Sequence, residues 1–320
     1  MSIQDENEYE DLLSLWSDLE AGLAIILASP GSIQEFEPRV WQYDRWMQGL
    51  LARDTDVGLY LLFQLAGHSA VGYSASHALV SAVLCHLIAG ELALPPGERD
   101  SLVHAALTMN IAMTALQDQL AVQVEKPSLL QQVAIRGHAG KGGSLLDNMG
   151  IRDPLWLQTV VLHHDEGTER GDLRAVPPEK RLARILRVVD RYAAMISPRQ
   201  SREGRTATDS LQSIVARASD QEDVIGQALV RVVGLCPPGT FVRLESKEVA
   251  VVMRRGPRPE SPQLAVVLSE SGQALKPPRL HESNTGSVTI RNSLTASAVR
   301  EHLNHHVILQ LGTQSALTAR

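Results

Sequence analysis

From Val40 to about Val233 apolar residues recur at steps of three and four in one stretch after another: WQYDRWMQGLL, GLYLLFQLA, SHALVSAVLCHLIAGEL, ERDSLVHAALTMNIAMTALQDQL, SLLQQVAIRGHAG, DPLWLQTVVLHH, EKRLARILRVVDRYAAMI and DSLQSIVARA. That period predicts amphipathic helices throughout. After Gly234 the texture changes at a Pro-Pro-Gly break. Short β-branched runs separated by Gly and Pro follow, predicting a small β appendage of two to four strands. From about Ser293 the run LTASAVREHLNHHVILQL predicts one more helix before a polar tail. Residues 1 to 34 are acidic and end in ASPGS, the pattern of a loosely attached helix and a turn. The expected fold is mainly α, a helical bundle with a small C-terminal β appendage. Its divisions fall at 1–34, 35–235, 236–292 and 293–320.

The stretch from Gly58 to Gly90 holds no Asp, Glu, Lys or Arg. Its middle, AGHSAVGYSASH, splits it into apolar pieces shorter than the roughly 20 residues a spanning helix needs, so two buried core helices are expected rather than a membrane span. Thirty basic against 36 acidic residues give a net charge of −6. The chain therefore lacks the basic excess of a dedicated DNA or RNA binder. Two cysteines, Cys85 and Cys236, lie far apart, so neither a disulfide framework nor a thiolate zinc site is expected. The acidic start has no basic n-region before an apolar core, and a cytoplasmic location is expected.

Polar side chains on otherwise apolar stripes carry the chemical signal, because burying them is costly unless they are paired or bound to a metal. His77 opens the stripe of Val80, Leu84, Leu87 and Ile88. Asn110 sits mid-face among Val103, Ala106, Leu107 and Met113, and Asp190 lies at the edge of the stripe Leu182, Ile185, Leu186, Val189, Ala193. His138 precedes a Gly-rich turn, and His163 and His164 close the DPLWLQTVVL helix. Neutral imidazoles and a carboxylate are usual ligands of iron, manganese or zinc. Adjacent helical residues point about 100° apart, so both His163 and His164 reach one ion only if the helix ends there.

The order of these residues, YSASHAL, an AAL run, HAGKGGSLL, HH, then VVD before YAAM, resembles the HD superfamily of metal-dependent phosphohydrolases, most closely its HD-GYP branch, which hydrolyses cyclic di-GMP. The resemblance covers about Leu59 to Leu235. It continues into CPPGTFVRLESKEVAVVMRR, which is similar to an element that often follows such domains. It implies an HD-type bundle, with His77 and Asp190 as ligands of a first metal and His138, His163 and His164 as ligands of a second. Arg199 and Arg202 fall where the family has a phosphate-facing Arg-rich segment.

The sequence departs from the family where the chemistry is concentrated. Met109 and Asn110 replace the His-Asp pair, Met113 replaces a Lys, and no GYP triplet follows His164. Asn110 offers a neutral carbonyl oxygen in place of a bridging carboxylate, and Met109 a soft thioether poorly matched to iron or manganese. No catalytic residue is assigned. The expected cofactor is one divalent ion, Fe or Mn, or none. Three function classes remain open: a nucleotide-binding regulatory pseudoenzyme with a cyclic dinucleotide or a signalling protein as partner, a phosphodiesterase working through a reduced metal site, and a helical interaction module.

Overall fold

The computed structural model describes residues 3–68, 72–165, 172–197, 205–217, 224–281, 290–295, 299 and 303–318. The helices are α1 (Ile3–Ala28), α2 (Phe36–Arg53), α3 (Thr55–His68), α4 (Tyr73–Glu91), α5 (Pro96–Thr108), α6 (Thr114–Val122), α7 (Leu129–Asn148), α8 (Pro154–Leu162), α9 (Pro178–Ile196), α10 (Ala207–Arg217) and α11 (Val224–Val233). A sheet and α12 (His305–Thr318) follow. The fold is the expected helical bundle with a small C-terminal β unit.

Helix α4 is its centre, packed against α1, α3, α5, α6, α9 and α11. It alone among the described helices is long and apolar enough to cross a membrane, yet most of it is buried in this core. It is apolar on every side because it has protein on every side.

The helix expected from Glu98 to Leu120 is broken. It stops at Thr108, turns through a 3-10 segment at Ile111–Met113 and restarts as α6. Asn110 therefore lies in the break rather than mid-face on a continuous stripe. The Gly-rich turn after His138 is corrected as well, since Gly140, Gly142 and Gly143 lie inside α7. The reason is close approach: a Cβ on Gly142 would meet Val160 Cγ1 at 3.4 Å, and one on Gly143 would overlap Val161 Cγ2. Here glycine's cost in helix propensity accompanies a tight α7–α8 contact. The start of α7 is fixed by a capping box, with Ser128 and Gln131 each bonding the other's backbone N–H.

The first helix is not loosely attached. Trp16 is fully buried, and Leu12, Leu19, Leu23, Ile26 and Leu27 join the same core as α4. At the other end, the strands are β1 (Phe241–Leu244), β2 (Val249–Arg254), β3 (Gln263–Leu268), β4 (Ala274–Leu280) and β5 (Ile290–Leu294), all antiparallel in the order β4-β3-β2-β1-β5. Among the described residues there are thus five strands rather than two to four. Leu294, expected in the last helix, ends β5 instead.

Strand alternation serves two cores. Phe241, Val249, Val251, Met253, Ala265 and Val267 face the main core. Val242, Leu244, Ala250, Val252, Leu264 and Val266 gather with Cys236 into a second one. The sheet is clamped to α3 by charge: Arg254 grips Asp54 with both terminal nitrogens (2.7 and 3.1 Å), and Arg255 Nε donates to Asp56 at 2.6 Å. Gly239, at φ +87°, presses against the Tyr60 carbonyl, where a Cβ would collide, and its own carbonyl accepts a hydrogen bond from Gln64. A side chain at Gly239 would meet both barriers.

Candidate metal centre

Three of the five predicted ligands converge. The ligand atoms of His138, His163 and His164 all lie within 4.8 Å of one another. α8 ends at Leu162, with His163 as its C-cap and His164 in the following turn. That is the helix ending the adjacent pair needs to face one point. His138 reaches them from α7 across the glycine-lined contact.

His138 Nδ1 donates to the Ile135 carbonyl at 2.5 Å and His163 Nδ1 to the Val160 carbonyl at 2.6 Å. These backbone anchors select the tautomer that leaves each Nε2 with a free lone pair. The two Nε2 atoms then face each other at 3.3 Å, two acceptors with no hydrogen between them. A tetrahedral ion with bonds of about 2.0–2.1 Å places its nitrogen ligands roughly 3.3–3.4 Å apart, so the donor set fits a divalent cation. Burial, with the neighbouring His164 second, pushes the His163 pKa down to about 4, and burial pushes His138 down too. Near neutral pH both rings stay neutral, as ligation requires.

The other two predicted ligands find each other. His77 Nε2 donates to Asp190 Oδ1 at 2.8 Å, while the buried His77 Nδ1 has no hydrogen-bond partner among the described residues. Tyr73 stacks on the His77 ring at 5.5 Å between centroids. Burial alone would raise the Asp190 pKa. The His77 hydrogen bond and the charges of His77, His163 and His164 outweigh it and hold the carboxyl at about 2. The same carboxylate, with burial as the larger cause, pushes the Cys85 thiol upward. Asp190 thus lies within electrostatic reach of the three-imidazole cluster and is satisfied without an ion.

The degenerate dyad lies beside this centre. The Met109 carbonyl and the Ile111 side chain pack over Gly142, one turn beyond His138. Met109 is buried and Asn110 half-buried. Arg199 and Arg202 lie outside the described residues. A second buried polar pair went unpredicted: Asp44 on α2 accepts from His104 Nε2 (3.2 Å) and Gln48 (2.8 Å), and His104 packs on Trp156. Its signal was present, since Asp44 falls on the apolar stripe of Val40, Met47 and Leu51.

The helical bundle thus draws three imidazoles from two helices to one point, with a His–Asp pair alongside. No family model matches the chain. It is 26% identical over 189 residues to a cyclic di-GMP phosphodiesterase, PA4108, of Pseudomonas aeruginosa, a match spanning 57% of this chain and 45% of that protein. The chain therefore matches less than half the length of this relative. Its fold resembles that of Bd1817, a HDG"Y"P protein from Bdellovibrio bacteriovorus, with a TM-score of 0.50 at 12% identity over 67% of this chain and 68% of the other. At 26% identity over less than half of the relative and 12% identity to the neighbour, the comparisons give a likeness in sequence and in fold to HD-GYP-type proteins. The donor set of the three-imidazole cluster can hold a metal ion.

Proposed function

We propose that this chain acts in cyclic di-GMP signalling as a regulatory pseudoenzyme, binding the cyclic dinucleotide beside a single-ion centre without turning it over. The observation that carries this reading is the split of the five ligand-type residues. His138, His163 and His164 converge on one point, while His77 and Asp190 bond each other and Met109 and Asn110 fill the dyad positions.

His138, His163 and His164 would hold the ion, which when bound supplies a Lewis acid for a phosphate oxygen and acidifies a water. Everything else rests on side chains of the chain. His138 and His163 are oriented by their backbone carbonyls. Asp190, engaged by His77, supplies negative charge at the edge of the cluster. Asn110 can donate or accept a hydrogen bond but cannot carry the charge that bridges two divalent ions. Met113 provides no cation for a phosphate. Such a site can bind a phosphodiester, yet it lacks the second ion that would stabilise the other oxygen of an in-line displacement.

The name of the P. aeruginosa relative favours a second reading, a phosphodiesterase working through one ion. Purified protein assayed for metal content, cyclic di-GMP binding by calorimetry and product formation by chromatography separates the two. The proposal expects at most one retained equivalent of metal after dialysis, metal-dependent nucleotide binding and no turnover with Mn²⁺, Fe²⁺ or Zn²⁺. Turnover favours the second reading. Two retained equivalents, or no nucleotide binding in metal-loaded protein, overturn the proposal.

A further inference from the structure

The loop between α4 and α5 borders a cavity of about 540 Å³, with α9, α11 and the 3-10 turn at Leu173–Ala175 as its other walls. That volume lies well inside the roughly 300–1,000 Å³ range of small-molecule sites. None of His77, His138, His163, His164 and Asp190 lines it, so it is separate from the metal centre. Ala93, in the left-handed region at φ +51°, turns the chain sharply between the two helices. Leu92, Leu94, Leu173 and Val224 supply apolar wall.

Five charged side chains line the same space, and their commitments differ. Glu98 takes Arg181 in a bidentate grip, with Nη2 at 2.6 and 2.7 Å and Nε at 3.1 Å, while Nη1 donates to the Val176 carbonyl at 3.0 Å. With all three nitrogens engaged, this guanidinium offers the cavity mainly its flat face, the surface on which a planar base stacks. Arg231 donates only Nε, to Glu91 Oε1, which leaves its two terminal nitrogens and Glu91 Oε2 unpaired among the described residues. Asp172 spends Oδ1 on the backbone N–H of Arg174 at 2.9 Å. The Arg174 guanidinium has no partner among the described residues.

A simple anion is a poor match for this lining, because Arg174, Arg181 and Arg231 are balanced by Glu91, Glu98 and Asp172. A flat group with acceptors on one edge and donors on the next is a better one. Guanine has that form: O6 and N7 accept an arginine fork, and N1–H and the N2 amino group donate to a carboxylate. Adenine sets a donor at N6 beside N7 and cannot take the same fork. We propose that this cavity is a guanine-nucleotide site apart from the metal centre, with the base stacked on Arg181, its O6–N7 edge on Arg231, its N1–N2 edge on Glu91 and the phosphate on Arg174 at the rim. One stacking face and one uncommitted cation suit a mononucleotide. α9 carries both Arg181 and Asp190, nine residues or about 14 Å apart along its axis, and α4 carries His77 near its start and Glu91 at its end. Binding here therefore reaches the His77–Asp190 pair through two rigid helices.

Calorimetry on the EDTA-treated full chain with GMP, AMP, guanosine and inorganic phosphate tests it. GMP is expected to bind one to one without metal, about tenfold or more tighter than AMP or phosphate. Arg174→Ala should weaken GMP about tenfold and leave guanosine unchanged, while Arg231→Ala should abolish the preference for GMP over AMP. Both side chains are exposed, so the variants should melt with the wild type. No GMP binding up to about 1 mM, AMP or phosphate binding as tightly as GMP, or GMP binding that neither variant alters overturns the proposal. The metal centre is stripped under these conditions, so failure here is distinguishable from failure of metal-dependent cyclic di-GMP binding, which is read on metal-loaded protein.

Discussion

Replacing Asp190 by Asn removes a charge while keeping the shape and the acceptor for His77, so it isolates the electrostatic contribution of the pair. In the folded chain this carboxyl sits at about 2 against an ordinary 3.8, with its side chain 19% exposed. By proton linkage, that depression corresponds to about 2 kcal/mol of stability. Part of it comes from the charge on His163 and His164. His163, itself held near 4 by burial, is neutral at pH 7, so its share is absent there. The loss expected for Asp190→Asn at neutral pH is therefore about 1–2 kcal/mol. The sign follows from the direction of the shift. A depressed carboxyl stabilises the fold fully above its unfolded pKa, and the contribution fades as pH falls from about 3.8 toward 2. Urea unfolding of EDTA-treated wild type and Asp190→Asn at pH 7, 5 and 3 measures it: equal gaps at pH 7 and 5, and a shrinking gap at pH 3. A difference under about 0.5 kcal/mol at pH 7, or a gap that persists unchanged at pH 3, refutes the electrostatic account. Metal content provides a second reading of the same variant. If Asp190 lies beside the ion rather than on it, Asp190→Asn retains the wild-type equivalent, and its loss would make Asp190 a direct ligand.

Gly143→Ala should force α7 off α8 at the overlap with Val161, lowering metal affinity about 10-fold or more through displacement of His138. Gly142→Ala, with ordinary room at 3.4 Å, should change it little; metal titration of the two variants checks the contrast, and equal affinities would remove the packing argument. The combined variant Met109→His, Asn110→Asp and Met113→Lys should be less stable than the parent without metal, by several kcal/mol for an uncompensated half-buried carboxylate. With Mn²⁺ or Fe²⁺ it should gain a second equivalent and hydrolyse cyclic di-GMP. Metal analysis and product chromatography decide, and a folded variant that gains neither would mean the site has diverged beyond the dyad.

What could be read from the chain, and what could not, follows from the range of each interaction. Helices with a clear apolar stripe, such as α9, show their identity locally, and the position of His163 and His164 at a helix end was implied by the polar residues after them. The pairing of His77 with Asp190 joins residues 113 positions apart, and no local pattern shows which ligand-type residues will satisfy each other rather than share an ion. The attachment of α1 was hidden because its acidic surface masks the period of Leu12, Trp16, Leu19 and Leu23. β5, with the sequence IRNSL, has no alternation to reveal it and becomes a strand only because β1 offers an open edge. In HAGKGG the glycines suggested a turn, since their use in helix-to-helix contact depends on Val160 and Val161, which lie one helix away.

The clamp between α3 and the sheet has a consequence for how this chain can be divided. Asp54 serves two neighbours at once, accepting from the backbone N–H groups of Asp56 and Val57 at the start of α3 and from the guanidinium of Arg254. Cutting after Leu235, the boundary suggested by the change in sequence texture, would strip both aspartates of their arginines and uncover the core that β2 and β3 face. The β unit is thus the bundle's own lid, and the helical part released from it should be insoluble or molten rather than a minimal working domain. Activity or binding measured on such a fragment would report on a damaged core instead of on the site.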